Sequence, residues 1–155
     1  MISQHYFTIW KETRTITYQI AETMKNDPKF NLDFKPHPEM NTFGHTTSHL
    51  NAVVYHMLKN YLKIPGIKIP EQLYDDSNYD IFKDELDKTD ALVKKTFNEL
   101  SDEDLDKEAY FWEPTNTSYS KGWVVLQLIA HERWTQAQLK MYLKIMGCDT
   151  SNIGH

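Results

Sequence analysis

The sequence predicts an all-α fold, a four-helix bundle with long crossover loops. Apolar residues recur every three or four positions through four long stretches, and no stretch reads convincingly as a strand. Only five Gly and six Pro punctuate the 155 residues, and the two connections of more than ten residues exclude a simple short-loop meander. Residues 1–155 are expected to form one domain, since a chain of this length buries roughly 70% of its unfolded surface around a single core.

The first helix runs from Ser3 to Met24, with Tyr6, Ile9/Trp10, Ile16, Ile20 and Met24 at helical spacing and Thr13 and Thr17 interrupting it. Asn26-Asp27-Pro28 stops it, and Pro28, Pro36 and Pro38 turn the following residues into an extended connection. Asn41 or Thr42 can cap a second helix that runs to about Leu62, before Ile64-Pro65-Gly66. Its apolar face is Leu50, Val53/Val54, Met57/Leu58 and Tyr61, bordered by His45, His49 and His56, of which His49 is best placed to point inward.

A long crossover loop spans residues 64–79, and a third helix from about Asp80 to Leu100 buries Phe82, Leu86, Leu92/Val93, Phe97 and Leu100. Ser101 and Asp104 are spaced as a capping box around one further turn. Residues 108–119, around Pro114, read as an ordered aromatic loop with short extended pieces at most. Ser120 caps the last helix, whose core face holds Val124/Val125, Leu128/Ile129, Leu139, Tyr142 and Met146, and Gly147 ends it.

Composition removes several function classes. The formal net charge is −5, and no Lys/Arg stripe interleaved with aromatics is present, so nucleic acid is not an expected partner. The N-terminus lacks the basic region and apolar run of a signal peptide, and no stretch of about 20 apolar residues could span a membrane; a cytoplasmic address is expected. The lone Cys148 has no partner for an intrachain disulfide and no activating base near it in sequence. There is no phosphate-binding glycine loop, no Cys-x-x-Cys pair, and no Glu-x-x-His of a di-iron bundle, since Leu128 stands three residues before His131.

What remains is a pair of histidine-bearing helices. The second carries Thr46-Thr47-Ser48-His49-Leu50, and the last carries His131-Glu132-Arg133-Trp134-Thr135-Gln136-Ala137-Gln138-Leu139, closing on Tyr142-Leu143-Lys144-Ile145-Met146-Gly147. Together with Leu100-Ser101-Asp102-Glu103-Asp104-Leu105 and the aromatic loop, these segments resemble the DinB/YfiT-like superfamily over essentially the whole chain. The resemblance implies a divalent metal, zinc or nickel, held by one histidine of the second helix and two of the last. Carried over, those positions are His49, His131 and Thr135, and the third is not a histidine.

A catalytic metal on a bundle wants three protein ligands and an open position, where it lowers the pKa of water or converts a thiol to thiolate. The family's S-transferases use low-molecular-weight thiols, so the resemblance implies attack by a thiol or water on a small electrophilic substrate. A threonine hydroxyl is a poor ligand for such metals. His45, one turn before His49, is the candidate substitute; Glu132 fits less well, because adjacent helical residues point about 100° apart, and Gln138 could only weakly coordinate the metal or orient a ligand. His5, His37 and His56 read as hydrogen-bonded structural residues.

Tyr110, Trp112 and Trp134 either wall a ligand pocket or pack in the core, and Met24, Met57, Met141 and Met146 read as packing residues. Two other outcomes follow from the incomplete triad: a metal-free member that binds a small molecule or partner without catalysis, or a structural role in which such bundles pair as homodimers through helix faces.

Overall fold

The computed structural model describes residues 2–71 and 78–154. Helix α1 spans Ile2–Asn26 and α2 spans Phe43–His56, the latter capped by Thr42, whose Oγ1 accepts the His45 N–H at 3.0 Å. The expected single helix to Leu62 changes pitch, because Met57–Tyr61 forms one π-helical turn. Lys63, with a φ of 56°, then turns the chain away.

Helix α3, Tyr79–Glu99, is capped by Asn78, and the one-turn α4, Asp102–Leu105, is held by the Ser101/Asp104 capping box. Part of the predicted crossover, residues 72–77, lies outside the described residues. Helix α5, Lys121–Met146, starts at the Ser120 cap and ends at Gly147, whose φ of 82° suits a residue without a Cβ.

The aromatic segment corrects the strand-free expectation. Residues Glu108–Trp112 (β1) and Thr117–Ser120 (β2) form an antiparallel hairpin around Glu113–Thr115, with Asn116 left-handed at a φ of 50°. No short-range alternation of apolar and polar residues announces it, since both faces carry aromatics. What holds it is a row of rings: Trp123 to Tyr119 at 4.2 Å, Tyr119 to Tyr110 at 5.1 Å, and Tyr110 to Tyr61 at 4.7 Å between centroids. The row clasps the hairpin between the start of α5 and the π-helical turn.

The four long helices pack around two apolar clusters. Trp10, Val54, Leu58, Val93, Phe97, Val125 and Leu128 lie in one; Ile20, Phe43, Leu50, Phe82, Leu86, Leu139 and Tyr142 lie in the other. Between them runs a buried polar layer to which every long helix contributes: Thr13, Arg14 and Thr17 from α1, Asn51 from α2, Thr89 from α3, and Glu132 and Gln136 from α5. The two threonines that interrupt the apolar spacing of α1 are thus core residues of that layer. Among the described residues, no helix is long and apolar enough to cross a membrane.

Candidate functional site

Helices α2 and α5 pack against each other and bring two of the sequence-selected histidines together. His49 Nε2 lies 3.3 Å from His131 Nε2, with ring centroids 5.2 Å apart and the planes at 64°. One imidazole donates its Nε2–H to the lone pair of the other, which requires the accepting ring to be neutral. Burial drives His131 down to about 4, with the charge of His49 adding to it. His49 is exposed rather than pointing inward as its spacing suggests, because it lies on the solvent side of the α2–α5 contact; partial desolvation against α5 still lowers it, followed by the charge of His45. Both rings are therefore unprotonated at neutral pH.

Thr135 does not complete this pair. It is buried, and its hydroxyl donates to the His131 carbonyl at 3.0 Å, the back-bond of a threonine one turn along its own helix. His45 is half-buried near the start of α2, close enough for its charge to act on His49. Yet among the described residues no group of three or more His, Cys, Asp or Glu is gathered to hold a metal ion. Gln138 stands half-buried two turns beyond His131, and His56 shares a hydrogen bond with Asn60 at 3.0 Å.

Glu132, adjacent to His131 in sequence, points the other way, into the polar layer. Its carboxylate faces Arg14 Nη1 at 3.4 Å and accepts the Thr17 hydroxyl. Arg14 Nη2 donates to Thr89 Oγ1 at 3.3 Å, Thr89 donates to Asn51 Oδ1 at 3.1 Å, and the guanidinium stacks on Trp10 at 4.5 Å. Gln136 Nε2 donates to the Thr13 carbonyl at 2.6 Å and to Thr17 Oγ1 at 2.8 Å. Burial raises the Glu132 carboxyl while Arg14 opposes the rise. Sequence reading passed over Arg14; the signal was Thr13, Arg14 and Thr17 lying on the same face as Trp10 and Ile20.

The expected aromatic wall is also redistributed. Trp134 and Trp112 are exposed, and Tyr110 sits in the ring row of the hairpin. Met24 is buried and Met141 is exposed, on the side of α5 away from Leu139 and Tyr142, so the latter is not the packing residue expected.

The donor set decides how a family metal would fare here. Two Zn–N bonds of ~2.0–2.1 Å at a tetrahedral angle separate their nitrogens by about 3.3 Å, so the His49–His131 distance matches one edge of such a centre. The vertex that Thr135 would fill has its hydroxyl turned to the backbone. The residues present fit two vertices and do not fit a three-ligand catalytic centre.

The family model of the DinB superfamily matches residues 9–136, a span containing His49, His131 and Thr135. None of the curated proteins matches the chain. The crystal structure of a DinB-like protein from Bacillus cereus is similar at a TM-score of 0.75 and 15% identity, covering 98% of this chain and 95% of that one. At that identity the likeness speaks to the fold, which agrees with the family match. The helical bundle, its α2–α5 histidines and the match over 9–136 converge on one conclusion: this chain belongs to the DinB superfamily.

Proposed function

We propose that this chain is a metal-free member of its superfamily, one that binds a small molecule at the histidine pair between α2 and α5 without catalysis. The observation that supports this reading is the self-paired imidazoles, with Thr135 bonded to its own helix at the place of a third ligand. Neutral His49 and His131 between them offer a donor and an acceptor, suited to a ligand with a hydroxyl, amide or thiol group. A cytoplasmic address belongs to the same proposal.

A second reading is favoured by one distance. The 3.3 Å edge fits two nitrogens of a tetrahedral zinc or nickel site, which would make the chain a metal-dependent S-transferase or hydrolase acting on a small electrophile, with a low-molecular-weight thiol as co-substrate. When bound, such a metal would supply an activated thiolate or hydroxide. His49 and His131 would hold it, with His45 or solvent at the position Thr135 leaves.

Metal analysis after purification without a metal-affinity step separates the two. The first reading predicts no stoichiometric metal at neutral pH. Near-stoichiometric zinc or nickel that disappears in His49→Ala overturns it in favour of the second.

A further inference from the structure

A groove lies on the flank of α2 that faces α3, away from the histidine pair. Gly66, left-handed at a φ of 79°, turns the chain beyond the π-helical turn. Ile67 and Ile69 then pack with Ala52, Tyr55 and Leu92, an apolar cluster separate from the two central ones. Between this segment and α3 the surface opens into a cavity of about 490 Å³, within the size range of small-molecule sites. Its walls are apolar, made by the Tyr55 ring, Ile67, Ala91 and Leu92. The one polar end on that wall, the Tyr55 hydroxyl, is already engaged, donating to Glu85 Oε2 at 2.9 Å.

The rim of the groove is cationic. Lys68 comes from the segment after Gly66, and Lys88 and Lys95 come from α3, about 10 Å apart along the helix axis. Among the described residues no Asp or Glu lines the groove. Asp84 and Glu85 hold Lys88 from outside it, at 2.6 and 2.8 Å, whereas Glu99 approaches Lys95 only at 3.9 Å. Lys68 has no acidic partner among the described residues. In a chain whose formal net charge is −5, the mouth of this apolar groove is a local reversal of sign.

Charge and lining together select the occupant. Apolar walls take a hydrocarbon or aryl body, and ammonium groups at the rim attract an anion at one end of it while repelling a cation. We propose that this groove binds a small amphipathic carboxylate, with its head group between Lys68 and Lys95 and its apolar body on Ile67, Ala91 and Leu92. The site is separate from the histidine pair and does not depend on what that pair does.

Titration of octanoate into the ¹⁵N-labelled chain, followed by NMR, tests the proposal. The expected result is saturable movement of the Gly66, Ile67, Ala91 and Leu92 amides, with a dissociation constant below about 1 mM and no movement at His49 or His131. Octanol has the body without the charge, and inorganic phosphate has the charge without the body; each should bind at least about tenfold more weakly than octanoate. The charge reversal Lys68→Glu with Lys95→Glu should weaken octanoate at least about tenfold and leave octanol unchanged. Ala91→Trp, at an exposed position, should fill the groove and abolish octanoate binding with the helical circular dichroism unchanged. No saturable movement up to about 5 mM octanoate, movement centred on the histidine pair, octanol or phosphate binding as tightly as octanoate, or octanoate binding that survives the charge reversal overturns the proposal.

Discussion

His131 and Glu132 are neighbours on one helix, both titratable and both pushed toward their neutral forms by burial, yet they serve opposite ends. His131 faces α2, where its ring meets a second imidazole, His49. Glu132 faces the interior, where the Arg14 guanidinium and the Thr17 hydroxyl hold it, Thr17 being held in turn by the Gln136 amide. The difference lies in completeness. The interior pair is balanced by charge and tied by hydrogen bonds into a layer drawn from all four helices, although the buried Arg14 Nε and Nη1 lack hydrogen-bond acceptors, while the histidine pair is two parts of a three-ligand set and leaves bonding capacity for a ligand.

The largest break in this comparison comes from the interior. Arg14→Ala leaves a buried carboxylate without its counter-charge and should cost about 3–5 kcal/mol, roughly a 10 °C drop in melting temperature. The double variant Arg14→Met with Glu132→Leu removes both charges and should lose clearly less than the sum of the single variants, as a double-mutant cycle would show. Strict additivity would mean that the two side chains do not act as a pair.

Completing the histidine set sharpens the comparison from the other side. Thr135→His restores a nitrogen donor one turn from His131. It should bind about one zinc per chain, raising stability by ~2.7 kcal/mol at a hundredfold excess over its dissociation constant. Zinc should leave the melting temperature of the wild type unchanged. Before metal is added, the larger side chain at this buried position should cost about 1–3 kcal/mol.

The two neighbours should also respond to pH with opposite sign. His131 takes up its proton near 6.5 when unfolded and only at about 4 when folded, so its contribution to stability is present above 6.5 and lost as pH falls to 4. His131→Asn should flatten that slope in melting temperature. The Glu132 carboxyl is raised from 4.5, so its contribution is present below 4.5 and lost as pH rises through the folded value; Glu132→Gln should remove that loss. The smallest effect is expected at the α4 cap, where Ser101→Ala removes the acceptor of the Asp104 N–H and should cost about 1 kcal/mol by denaturant unfolding.

The helices and most of their core faces were legible because periodicity and caps are local: Thr42, Ser101, Ser120 and Gly147 stand where the chain turns. The meeting of His49 and His131 was legible through the resemblance, and so was the departure at Thr135. The hairpin was not, because its strands are held by rings from α5 and the π-helical turn rather than by their own alternation. The polar layer was not, because a threonine or arginine on an apolar face signals burial only once its partners on three other helices are known. Trp134 and Met141 lie on the side of α5 opposite Leu128, Leu139 and Tyr142, so helical spacing itself puts them outside and residue type alone suggested otherwise.

The most direct test of a metal-free histidine pair is ¹⁵N NMR of the imidazoles during a pH titration and on addition of one equivalent of Zn²⁺. A self-paired, two-ligand site predicts that His131 stays neutral down to about pH 4 and that neither His49 nor His131 shifts with stoichiometric zinc. Stoichiometric movement of both Nε2 resonances at neutral pH would contradict it and establish the pair as metal ligands.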